Sequence, residues 1–115
     1  MEKIFEKPHA VPLELIKNGM RKRLAELELK YGWLQKEHDV RYRWIPKTMT
    51  IAIENKDFDI QARIVFAEKR YACFVQIPFH LRILVKSPID DIIKVSLREI
   101  EQYLRDLKII KKHKT

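Results

Sequence analysis

Apolar residues in the first third of the chain recur every three or four positions. Leu13, Ile16, Met20, Leu24, Leu27 and Tyr31 fall on one side of a helix, and Lys17, Arg21, Lys22, Glu26 and Glu28 fall largely on the other. Pro12 stands where a helix can begin, and Gly32 stands where a left-handed cap would end one. From residue 40 the period changes to two. Val40, Tyr42 and Trp44 alternate with Arg41 and Arg43; Met49, Ile51 and Ile53 alternate with Thr50, Ala52 and Glu54. Phe58, Ile60, Ala62, Ile64 and Phe66 continue the pattern, and so do Tyr71, Cys73, Val75 and Ile77. Pro46–Lys47, residues 55–57 and Lys69–Arg70 are turn signals between these runs, so four strands in an antiparallel meander are expected.

Residues 78–86, PFHLRILVK, fit either a bent extension of the fourth strand or an apolar loop; Pro78 argues against an unbroken central strand. Helical period then returns. Ile89, Ile92, Ile93, Leu97, Ile100, Leu104 and Leu107 make a continuous stripe. Ser87 is expected as its N-cap, Pro88 at the first helical position, and Asp90 and Asp91 at the positive end of the helix dipole. The order is helix, four strands, helix. One sheet face must be buried, and both helices offer a matching stripe. The expected fold is therefore α+β: a two-layer sandwich with the N-terminal and C-terminal helices on one face of a four-stranded meander. The chain is expected to form a single domain over residues 1–115, with 1–11 as an N-terminal arm and 109–115 as a basic tail.

Composition narrows the function. The 115 residues carry a net charge of +8, and residues 35–86 hold ten Lys/Arg against six Asp/Glu. Such a surplus favours acidic partners: nucleic acid, anionic lipid or an acidic protein. Solubility alone would also explain it. No apolar run approaches the ~18 residues of a membrane helix, and no signal-peptide pattern opens the chain. The single Cys73 cannot form an internal disulfide. A cytoplasmic location is expected.

Catalytic chemistry finds little to work with. The two glycines form no phosphate-cradling loop, Ser87 is a cap, and Cys73 falls on the buried side of its strand. His9, His38, His80 and His113 lack metal-ligand spacing. No catalytic residue, metal or cofactor is expected, and the protein is read as non-enzymatic. Binding has better candidates. If Tyr42 and Trp44 face the helices, the opposite sheet face shows Arg41, Arg43, Thr50, Gln61, Arg63, Phe74 and Gln76. Arginine forks beside an aromatic plane could hold an anionic strand or polymer, although an ordinary wet sheet face would look the same. Trp33, just after the helix cap, and Lys108, Lys111 and Lys112 in the tail complete the candidate set.

Several landmarks occur together: KPHA at 7–10, KYG at 30–32, VRYRW at 40–44, IPFHLRILVK at 77–86 running into SPIDDII at 87–93, and YLRDL at 103–107. In order and spacing, over residues 3–107, the chain resembles the bacterial polyhydroxyalkanoic acid system family. It departs from that pattern at NKDFDIQ, where the family often has glycines, and in the long connection WLQKEHD. The resemblance implies a cytoplasmic accessory protein of polyester storage granules, meeting the granule surface or its proteins. It brings no functional residues with it. Two other readings stay open from the residues themselves: a nucleic-acid-binding protein using the basic sheet face, and a carrier of a small apolar ligand. A homo-oligomer through strand edges or the bare sheet face is also compatible.

Overall fold

The computed structural model describes residues 2–32, 36, 39–55, 59–76 and 86–114, with side chains of the last span described from 93 to 108. The chain divides into two compact units, Met1–Pro78 and Phe79–Thr115.

The first unit holds β1 (Glu2–Pro8), α1 (Leu13–Lys30), β2 (Val40–Ile45), a 3-10 turn (Pro46–Thr48), β3 (Thr50–Asn55), β4 (Ile60–Phe66) and β5 (Arg70–Gln76). All five strands form one antiparallel sheet in the order β1-β5-β4-β3-β2. The four-strand meander is thus present. The expected N-terminal arm, however, is a fifth strand, and the order begins β-α rather than α. The physical reason is a bulge. Lys3 and Phe5 pair with the successive residues Phe74 and Cys73, which leaves Ile4 as the extra residue, 41% exposed. An inserted residue breaks strict alternation, and Lys3, Glu6, Lys7 and Pro8 give the segment the charged, proline-ended composition of a protected edge.

Alternation sorts the two sheet faces, except that Thr50 and Ala52 of β3, expected on the bare face, are buried. On one face the register aligns Trp44, Ile51, Ile64, Cys73 and Phe5 across all five strands, and Tyr42, Ile53, Ala62 and Val75 across four. Ile51, Ile53, Ile64, Cys73 and Val75 are buried there. Aromatic rings chain across this face. Trp44 meets Phe66 edge-on at 6.3 Å, Phe66 lies 5.9 Å from Tyr71, and Tyr71 meets Phe5 edge-on at 6.2 Å. Helix α1 buries Ile16, Met20 and Leu24 from the predicted stripe and lies against β2. Burial pushes the Tyr42 phenol above its usual range, and nearby Tyr31 at the end of α1 adds to the effect.

Local ends differ from expectation in two places. Gly32 is not left-handed. Helix α1 closes on Tyr31, at φ −113°, whose N–H donates to Leu27 O at 2.8 Å. A Cβ on Gly32 would meet nothing within 4 Å, so nothing local demands glycine. Among the described residues, the left-handed ones are instead Asp39, Met49 and Asp59. Met49 (φ 51°) follows the 3-10 turn. Its N–H donates to Pro46 O, and its carbonyl accepts from Phe66 N–H at 2.9 Å. That conformation is unfavourable for a side-chain-bearing residue, and the two backbone hydrogen bonds hold it while turning β2 into β3.

His9 pins the start of the chain. Its backbone N–H donates to Lys69 O at 2.9 Å, and its ring bridges two more groups. Ala67 O can only accept, so Nε2–H must donate to it at 2.6 Å; Val11 N–H can only donate, so Nδ1 must accept from it at 3.2 Å. One neutral tautomer satisfies both, tying the β1–α1 connection to the β4–β5 turn. Nothing in the sequence pattern marked this role. Replacing His9 with alanine removes both ring bonds and is expected to lower unfolding free energy by about 1–3 kcal/mol, read from the denaturant midpoint at unchanged slope.

The second unit contributes α2 (Lys86–Lys114). Helical backbone from Lys86 puts Ser87 and Pro88 inside the first turn, so Ser87 does not occupy the expected cap position. Among the described side chains, Ile100, Leu104 and Leu107 of the predicted stripe are buried, while Lys94, Arg98, Gln102, Arg105 and Lys108 are exposed. Gln102 links the exposed side, donating to Asp106 Oδ1 at 2.9 Å and accepting from Arg105 at 3.0 Å. The helix extends through most of the segment read as a basic tail. Residues 78–85 of the ambiguous PFHLRILVK stretch lie outside the described residues, as does Ile77, read as the end of the fourth strand.

Candidate ligand-binding face

The sheet face opposite the aromatic chain is built from three cross-strand rows. The middle row runs Arg43, Ala52, Arg63, Phe74, Lys3 across all five strands. On one side of it lies Arg41, Glu54, Gln61, Gln76; on the other lies Ile45, Thr50, Val65, Ala72, Glu6. Arg41, Arg43, Glu54, Gln61, Arg63 and Gln76 are exposed, and Phe74 is half-buried. The expected binding residues of the sheet are therefore brought together on one face.

The cations in this set are not equivalent. Lys3 Nζ bonds Glu6 at 2.6 Å, and Arg70 bonds the other Glu6 oxygen at 2.6 Å. The Lys3 and Arg70 hydrogen bonds hold the Glu6 carboxyl below its usual range. One carboxylate thus answers two cations at the β1 edge, leaving the cluster a net +1. Arg41 Nε reaches Asp39 Oδ1 at 3.4 Å, so part of its charge is also answered locally. Among the described residues, neither Arg43 nor Arg63 has an ion-pair partner. Adjacent strands lie roughly 4.8 Å apart, so these two guanidinium-bearing positions are roughly 10 Å apart, with only the Ala52 methyl between them.

The other candidates fall elsewhere. Lys108 is exposed on α2. Trp33 lies outside the described residues, as do the side chains of Lys111 and Lys112. A cleft of about 390 Å³ at the end of α1 is lined by Glu28, Asp39, Val40, Arg41 and Tyr42. Its charged lining does not suit an apolar ligand. Among the described residues, no group of three or more His, Cys, Asp or Glu could hold a metal ion, and no helix is long and apolar enough to cross a membrane.

Cys73 sits on the core face, 3% exposed, where burial pushes its thiol up to about 11 from an ordinary 9.0. The folded state keeps the proton longer than the unfolded chain does. This contribution to stability is therefore whole below pH 9 and is lost as pH rises through 11. The loss amounts to up to about 3 kcal/mol. Denaturant titrations at stepped pH check it: Cys73→Ala should flatten the decline over that window. The native thiol should also resist alkylation at pH 8.

No protein-family model, curated protein or solved structure matches the chain.

Proposed function

We propose that this chain is a non-enzymatic binding protein that engages an anionic partner through the exposed face of its sheet. One observation carries the reading. Arg43 and Arg63 stand in a single cross-strand row, both exposed and both without an ion-pair partner among the described residues, on either side of a small residue. A guanidinium left unanswered on a rigid strand is a preorganised donor fork for carboxylate or phosphate. Nearby charges that would cancel the field are mostly engaged: Glu6 by Lys3 and Arg70, and Asp39 by Arg41. Among the described residues, Glu54, in the adjoining row, is the remaining acid on this face.

The setting of the proposal comes from the motif order that resembles the polyhydroxyalkanoic acid system family. On that reading the protein is an accessory of polyester storage granules, meeting their surface or their coat proteins. Phosphocellulose retention tests the face. Arg43→Glu with Arg63→Glu should elute at clearly lower salt than Lys17→Glu with Lys22→Glu, which makes the same charge change on exposed positions of α1. Equal losses would mean that net charge, not this face, does the binding. Co-sedimentation with isolated polyester granules tests the setting, and recovery in the supernatant alone would remove it.

A further inference from the structure

We infer that the ligand of this face is a single-stranded nucleic acid, laid across the strands along the Arg43–Ala52–Arg63–Phe74 row. The inference rests on the sheet-face reading above and names its ligand class. Three features of the face select a strand with bases over other polyanions. First, Phe74 is directly opposite Arg63 in the register and half-exposed, so an aromatic side chain and a guanidinium without an ion-pair partner among the described residues stand side by side. Bases stack on aromatic and guanidinium planes, while phosphates take the forks. Second, the residue between the two arginines is the small Ala52, itself buried, so no bulky side chain separates the two guanidinium-bearing positions. Third, the neighbouring row places Gln61 directly opposite Gln76, both exposed. Their amides supply donors and acceptors at the height of a base edge.

An anionic membrane is a poorer fit. Among the described residues, the one aromatic on the face, Phe74, is half-buried, and so are the apolar Ile45 and Val65 of the adjoining row, so no fully exposed large apolar side chain projects for insertion. A duplex is a poorer fit as well, because its bases are stacked on each other and cannot use the Phe74 ring.

Fluorescence anisotropy with labelled 12-nucleotide single-stranded RNA and DNA tests the inference. Linear polyphosphate, the matching duplex and phosphatidylserine-containing vesicles serve as competitors. Wild-type protein should bind the single strands, and Arg43→Glu with Arg63→Glu should abolish binding. Phe74→Leu keeps an apolar side chain without a ring face. It should weaken oligonucleotide binding by about fivefold or more and leave polyphosphate binding unchanged. Circular dichroism confirms that the variant is folded, and Phe74→Tyr should restore affinity. If Phe74→Leu affects neither ligand, or if duplex or vesicles compete better than the single strand, the nucleic-acid inference is overturned while the cationic face stands. If the protein binds neither oligonucleotide nor polyphosphate, both readings fall.

Discussion

Ile64→Ala is expected to cost about 2–5 kcal/mol of unfolding free energy, whereas Arg63→Ala, one residue earlier, should change it by less than about 0.5 kcal/mol. The contrast follows from the pleat. Ile64 is 2% exposed, on the central strand of the sheet, between Ile51 and Cys73 in the register. Truncating it removes buried methyl groups and leaves a cavity that two flanking strands cannot both close. Arg63 points to the other face, exposed, between Ala52 and Phe74. Its side chain has no ion-pair partner among the described residues, so its removal loses only surface contacts. Paired denaturant titrations measure both effects. Similar costs for the two variants would mean that the alternation does not separate a core face from a solvent face.

The second large effect concerns salt. If Arg43 and Arg63 each answer one phosphate of a bound single strand, the logarithm of affinity should fall by about 1.4 per decade of salt. Raising salt from 50 to 200 mM should then weaken binding by about sevenfold. Lys3 and Arg41 are expected to add less than Arg43 and Arg63, because Glu6 and Asp39 answer part of their charge. Arg43→Gln should halve the slope, whereas Arg41→Gln should lower it less. Equal slope changes for the two variants would show that local pairing does not rank these cations.

Strands β2 to β5 were legible in the sequence because each has a polar face and an apolar face at strict period two. Their alternation also put Arg41, Arg43, Gln61, Arg63 and Phe74 on one face, before any register was known. Strand β1 was not legible. Its bulge at Ile4 places Lys3 and Phe5 on opposite faces although they are two residues apart, so the segment reads as an irregular arm. Register was also beyond the sequence. That Arg43 faces Arg63 across Ala52 depends on how the turns set the strands. The β2–β3 turn uses a left-handed Met49, a conformation that residue type does not announce. Gly32 illustrates the converse. Glycine suggested a left-handed cap, yet the helix closes on Tyr31 with φ negative. The unequal standing of Arg41 and Arg43 came only from the structure, through the Asp39 contact.

Long-range proton contacts of the Phe74 ring, measured by nuclear magnetic resonance, test the two-faced sheet most directly. The ring should show cross-peaks to the side chains of Arg63 and Lys3, its register partners on β4 and β1, and none to Trp44 or Ile51. Cross-peaks to Trp44 or Ile51 would place Phe74 among the buried residues and contradict the exposed binding row.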